Sequence, residues 1–278
     1  RLTGGRQHAT DVTNASRTLL FNIHEHAWDA GLLKLFDIPE TILPQVKDCD
    51  AWFGEIDKTL LGCSIPITGV AGDQQAALIG QCCFSEGAMK ATYGTGGFLL
   101  LNSGEKIIDS QFKLLSTIAY RLQSKTAYGL EGSLGAPHWL SYKGAVVTGL
   151  SRTSNQAHFA RAALESVAYQ TRDILTCIRK DYPKPLSFIR VDGGMASNTW
   201  FLQFLASQCN LQIERPKDIE ITAKGAAMVA GLGIGLYDSY DCLGKIWHSD
   251  TRFDPTREKA MDDYYDGWQN ALQLLKAY

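Results

Sequence analysis

The stretch Ile67-Thr68-Gly69-Val70-Ala71-Gly72-Asp73-Gln74-Gln75-Ala76-Ala77-Leu78 constrains the chain most. A short apolar strand runs into two glycines, then a carboxylate, then an alanine-rich helix. Gly69 and Gly72 relieve the steric limits of a sharp strand-to-helix turn. Asp73 therefore falls in or beside the first helical turn, at the edge of a sheet. There it either caps the helix or reaches toward a bound substrate. A second stretch, Ala91-Thr92-Tyr93-Gly94-Thr95-Gly96-Gly97-Phe98-Leu99-Leu100-Leu101, reads as two apolar strands joined by a glycine-rich turn. Such a turn exposes backbone N–H groups and the Thr95 hydroxyl, donors that a phosphate oxygen accepts from. A plain hairpin turn uses glycine in the same way. Taken together, a positioned carboxylate and a phosphate-type turn point to phosphoryl transfer to a hydroxyl.

With 278 residues, 45% of them hydrophobic, the chain can bury a large core and form two lobes. A net charge of −2 and the lack of any basic cluster give no reason to expect nucleic acid. Apolar runs such as Phe98 to Leu101 are far too short to span a membrane. The opening residues carry no secretory-signal pattern. Seven cysteines, Cys49, Cys63, Cys82, Cys83, Cys177, Cys209 and Cys242, are odd in number and show no C-x-x-C spacing. They read as reduced thiols of a cytoplasmic protein, neither zinc ligands nor a disulfide frame. In that compartment the sequon Asn14-Ala15-Ser16 has no meaning. The first residues, Arg1-Leu2-Thr3-Gly4-Gly5, lack a methionine and enter as if in mid-element, so a fragment is expected.

Along the chain, residues 11–17 read as a loop, Ala30 to Phe36 as a helix, and Gly54 to Cys63 as an edge hairpin. Gln74 to Gln81 is helical, and the adjacent Cys82 and Cys83 read as packing residues. Strands are expected over 112–119, 126–130 and 143–150. Between the last two, Glu131-Gly132-Ser133-Leu134-Gly135-Ala136-Pro137 passes from strand to turn with no helix in between. The longest helix runs from Ala157 to about Lys180 behind Ser154 or Asn155 as N-cap. Its opposite face, with Arg161, Glu165, Arg172 and Asp173, reads mostly as solvated. Strand 187–192 ends in Gly193-Gly194, a helix follows Asn198, a strand stops at Pro216, and a further helix starts near Thr222. This strand–turn–helix–strand–helix unit makes the class α/β. Ligands of such sheets bind beyond the carboxyl ends of strands, where helix N-termini favour anions. Gly193-Gly194 sits at one such end and serves either a flat base or phosphate, or only a tight turn. A final helix, Thr256 to Lys276, reads as a packing helix or subunit contact.

These residues resemble a family. Thr13-Asn14-Ala15-Ser16-Arg17-Thr18, Gly72-Asp73-Gln74-Gln75-Ala76-Ala77, Tyr93-Gly94-Thr95-Gly96, Tyr169-Gln170-Thr171-Arg172-Asp173 and Val191-Asp192-Gly193-Gly194 are similar to the glycerol kinases, a branch of the FGGY carbohydrate kinases. The resemblance extends to Glu214-Arg215-Pro216 and Gly225-Ala226-Ala227. It implies an actin-like ATPase (ribonuclease H-like) domain, a mixed sheet flanked by helices. Residues 1–80 would end the amino-terminal lobe and 81–278 would form the carboxyl-terminal, nucleotide-binding lobe, lacking a segment between Ser133 and Leu134. Asp73 would be the general base and bind substrate with Gln74 and Phe98. Thr95, Gly194 and Asn198 would hold ATP, with Mg2+ carried by the nucleotide and no metal ligand assigned here. Glycerol and ATP would be the partners, in the cytoplasm, in a homodimer or homotetramer. A kinase for another polyol or sugar, or a non-catalytic nucleotide-binding module, is the alternative. The chain departs from the family at Gly97, where cysteine is common, and at Leu140, where aspartate is usual. Around Lys58 to Cys63 it has no glycine-arginine loop of the kind tied to sugar-bisphosphate control, so no such regulation is expected.

Overall fold

A computed structural model describes residues 1–94, 96–134, 147–218, 220–256 and 260–276. Its centre is a seven-stranded mixed sheet. Four strands, β1 (Met89–Tyr93), β2 (Gly97–Gly104), β3 (Leu115–Leu122) and β4 (Lys125–Leu134), pair antiparallel. β5 (Ile189–Asp192) and β6 (Ile213–Pro216) run parallel to β1, and β7 (Ser249–Phe253) closes the edge antiparallel. The strand order is β7-β6-β5-β1-β2-β4-β3.

Helices cover both faces. On one lie α1 (Asp73–Gly80) and α4 (Ile221–Gly233); on the other lie α2 (Gln156–Asp181), α3 (Thr199–Cys209) and α5 (Ala260–Lys276). The alternation of β2 sorts the cores: Leu99 and Leu101 join the α2–α3 side, while Leu100 joins the α1–α4 side. α2 begins with a capping box in which Asn155 accepts the Ala157 N–H at 3.0 Å and His158 Nδ1 accepts the Asn155 N–H at 3.2 Å. Its apolar stripe, Val167, Ala168, Thr171, Leu175 and Ile178, is buried at the expected spacing.

α1 and α4 touch through glycine. A Cβ on Gly225 would stand 1.8 Å from the Ala76 carbonyl oxygen, and one on Gly80 would stand 2.3 Å from that of Ile221. The small-residue pattern of the sequence is thus the seam that holds the Asp73 helix against α4.

Three expectations change. Residues 54–63 form no edge hairpin. Asp57 caps a helical turn at Lys58–Leu61 that ends on left-handed Gly62, and pairing is confined to the segments that flank this turn, where Glu55 bridges to Pro66 and Ile56 N–H donates to Ile65 O at 2.8 Å. Residues 147–150 meet no neighbouring strand and stay irregular, with Val147 and Leu150 exposed. Residues 143–146 and Leu140 lie outside the described residues. Finally, Arg172 and Asp173 are not on a solvated face, because α5 docks there. Arg172 Nη2 reaches Asp262 at 2.7 Å, and Asp173 accepts from Tyr265, Trp268 and Gln269.

Candidate active site

The turn before α1 is fixed from below. Asp11 is fully buried and caps the turn Val12–Ala15, accepting the Thr13 N–H at 2.8 Å and the Thr13 hydroxyl. Thr13 Oγ1 in turn accepts the Gly72 N–H at 2.8 Å. Gly72, with extended backbone, takes the N-cap position and makes no side-chain cap. Asp73 is therefore the first helical residue, is exposed, and satisfies one unpaired backbone N–H of the first turn. Its Oδ1 accepts the Gln74 N–H at 2.8 Å and its Oδ2 accepts Gln74 Nε2 at 3.1 Å. Each carboxylate oxygen keeps a further lone pair for a substrate hydroxyl.

Below α1, the sheet presents one polar face. Register places Lys90, Thr92, Phe98, Glu131 and Asp192 on the same side of β1, β2, β4 and β5, through the pairs Thr92↔Phe98, Thr92↔Asp192, Lys90↔Leu100 and Leu100↔Glu131. Lys90 is fully buried and donates to Gln74 Oε1 and, at 2.9 Å, to Thr92 Oγ1. Burial pulls its pKa below the usual lysine range, and the charges of Asp192, Glu131 and Asp73 oppose that pull. Asp192 is also buried. Desolvation raises its carboxyl above the ordinary range, while Lys90, Thr92 and Gln81 draw it back. Glu131 is held by Arg17 through a two-pronged pair at 2.9 and 3.3 Å. Phe98 is half-buried beside this row.

The glycine turn between β1 and β2 closes with Gly94 N–H donating to Gly96 O at 2.9 Å. Thr95 itself lies outside the described residues. The turn borders a small open hollow, whose other walls include Leu134, Val167, Gln170 and Met195. At the carboxyl end of neighbouring β5, Gly193 is left-handed (φ +86°), and a Cβ there would meet the Tyr93 carbonyl oxygen at 2.4 Å. Gly194 differs: no atom lies within 4 Å of where its Cβ would be. Asn198 ends the short turn Gly194–Ser197 and caps α3, its Oδ1 accepting the Phe201 N–H at 3.0 Å.

The structure thus brings Asp73 and Gln74 to the sheet face that carries Phe98, and sets Gly193-Gly194 at the end of the strand beside β1, with Asn198 at the far end of the short turn that follows. Sequence reasoning did not assign Lys90, Asp192, Glu131 or Arg17. The signal for Lys90 was a lone ammonium inside Met89-Lys90-Ala91-Thr92-Tyr93, a strand whose other positions are apolar or small.

The N-terminal domain model of the FGGY family of carbohydrate kinases matches residues 1–80, and its C-terminal domain model matches residues 131–234. The chain belongs to the FGGY family of carbohydrate kinases. This FGGY chain is 46% identical to the glycerol kinase of Gluconobacter oxydans over 319 residues, covering 98% of the chain and 62% of that protein. To the glycerol kinase of Rhodospirillum centenum it is 43% identical over 323 residues, all of the chain and 65% of that protein. Both alignments are longer than the 278 residues of the chain, so these relatives carry internal residues with no counterpart here. The FGGY chain spans less than two thirds of the length of either relative. Among solved structures, Plasmodium falciparum glycerol kinase with ADP superimposes with a TM-score of 0.90 at 34% identity, covering 99% of this chain and 64% of that one. A xylulose kinase from Lactobacillus acidophilus matches with a TM-score of 0.81 at 20% identity, which concerns the fold alone. The expected actin-like ATPase fold, a mixed sheet flanked by helices, is the one observed.

Proposed function

We propose that the protein carrying this chain transfers the γ-phosphoryl group of ATP to a terminal hydroxyl of glycerol, giving ADP and sn-glycerol 3-phosphate. Similarity to glycerol kinases over nearly the whole chain supports the substrate. One arrangement carries the reading. The Asp73 carboxylate, exposed at the start of α1 with a further lone pair on each oxygen, stands with Gln74 above a sheet face whose next hairpin supplies Phe98 and the glycine turn.

In this reading Asp73 takes the hydroxyl proton as the new O–P bond forms and the bond to ADP breaks. Gln74 binds a glycerol hydroxyl, and Phe98 packs on the carbon backbone of the substrate. Thr95 contacts the nucleotide phosphates. Gly194, with open space over its Cα, lets the nucleotide lie against the backbone, and Asn198 borders it. ATP would enter as its Mg2+ complex, the cation neutralising phosphate charge. Residues 1–80 belong to one lobe and 81–278 to the other, and closure would exclude water from the transfer. We place the protein in the cytoplasm as a homodimer or homotetramer. Among the described residues no helix is long and apolar enough to cross a membrane.

The test is Asp73→Asn in the complete protein. Turnover with glycerol and ATP should fall by about 10²–10⁴-fold, while calorimetric binding of ADP is retained. Turnover at the unsubstituted rate would sink the role of Asp73. A panel that includes pentuloses and erythritol checks the substrate.

A further inference from the structure

Lys90 has a fully buried ammonium and forms no ion pair among the described residues. Its direct partners are two neutral oxygens, Gln74 Oε1 and Thr92 Oγ1, and the carboxylates of Asp192, Glu131 and Asp73 offset its charge only from beyond ion-pair distance. Burying a charge this way is costly, and an apolar side chain of similar length would fill the same space at less cost. The packing of β1 therefore does not explain a lysine.

The neighbour does. The Gln74 carboxamide has Lys90 at its oxygen and the Asp73 carboxylate at its nitrogen. Turned by 180°, it would set NH2 against an ammonium and an oxygen against a carboxylate, two repulsive contacts in place of two attractive ones. Only one orientation is tolerated. Asp73 is then held at both oxygens by the residue that Lys90 has fixed. We propose that Lys90 is a positioning residue, which locks the Gln74 carboxamide in one orientation and, through it, aims the Asp73 carboxylate. Its meaning for catalysis rests on the functional reading above, in which Gln74 and Asp73 meet the substrate. Lys90 itself lies beneath them and touches no substrate.

Two readouts test this in the complete protein, one of them blind to substrate. The Gln74 side-chain NH2 pair is identified in an amide NMR spectrum by its disappearance in Gln74→Ala. In Lys90→Met the pair should move to the positions of a free carboxamide, and in Lys90→Arg it should stay close to its original place. Lys90→Gln, which keeps a donor without the charge, serves if Lys90→Met does not fold. An unmoved Gln74 pair overturns the proposal, whatever the substrate is. Kinetically, Lys90→Met should lower kcat/KM for glycerol by about 10- to 100-fold and leave the KM for ATP unchanged, with most of the loss recovered by Lys90→Arg. Added to Gln74→Ala, Lys90→Met should cost nothing more, because both act through one carboxamide. Independent, multiplying losses overturn the relay. If the unsubstituted protein does not phosphorylate glycerol, the functional reading fails, and the NMR result alone decides the role of Lys90.

Discussion

Gly193 and Gly194 are adjacent glycines with different reasons to be glycine. At Gly193 the left-handed backbone and the Tyr93 carbonyl oxygen 2.4 Å from a virtual Cβ both forbid a side chain. At Gly194 neither applies, because the backbone is ordinary and the space is empty. Gly193→Ala should therefore lower unfolding stability by about 2 kcal/mol or more, the combined effect of strain and overlap. Gly194→Ala should change stability by less than about 0.5 kcal/mol, as a surface substitution without steric conflict does. If a nucleotide fills that empty space, Gly194→Ala must weaken ADP binding all the same. Thermal melts and calorimetry on both variants separate the cases. Full ADP affinity in the Gly194→Ala variant would remove this glycine from the site. The sequence showed both glycines at the strand end but could not tell them apart, since the difference lies in which chain segments pass near each Cα.

Among the elements, α1 is placed by α4 rather than by its own sequence. Gly80 and Gly225 let the two backbones approach until each glycine would overlap the opposing main chain. Gly225→Ala should force them apart, costing about 3 kcal/mol and shifting Asp73 from its position over β1. Loss of turnover should then exceed the loss expected from reduced folding alone, measured at a temperature where the variant is fully folded. The pattern of small residues in 225–233 was legible in the sequence, but not the helix it would meet, because that contact joins segments far apart in the chain. A similar limit hid the dock of α5. Arg172 and Asp173 look like solvated charges until Tyr265, Trp268 and Gln269 are seen to donate to Asp173, and Tyr265 to lie 3.9 Å under the Arg172 guanidinium. Asp173→Ala would leave these donors without their acceptor, a loss of about 1–3 kcal/mol. Hydrogen exchange should then show α5 opening before the sheet. Equal protection of α5 in both proteins would mean that its apolar contacts alone hold it.

For the whole molecule, the α/β class followed from alternating strands and periodic helices, whereas the polar face under α1 did not. Lys90 and Asp192 sit in strands whose apolar neighbours mark both faces as buried, and only register across β1, β2, β4 and β5 gathers them with Glu131. The same sheet joins the two cores, and the buried cysteines on its two sides report whether they melt as one. Cys49, Cys82 and Cys83 belong to the α1–α4 side, and Cys209 to the α2–α3 side. Burial pushes their thiols up, Cys82 to about 11 and Cys83 and Cys209 to about 12. The thiolate is the reactive form, so at pH 8 the folded protein should alkylate first at exposed Cys63, and at the four buried thiols only on unfolding. Because β2 lends Leu99 and Leu101 to one core and Leu100 to the other, neither layer can leave without stripping the sheet of a packed face. Mass mapping across a urea series should then give one midpoint for Cys83 and Cys209, as a single cooperative unit requires. A lower midpoint for Cys209 would mean that α2, α3 and α5 peel from the sheet first, making that layer a separate unit of stability.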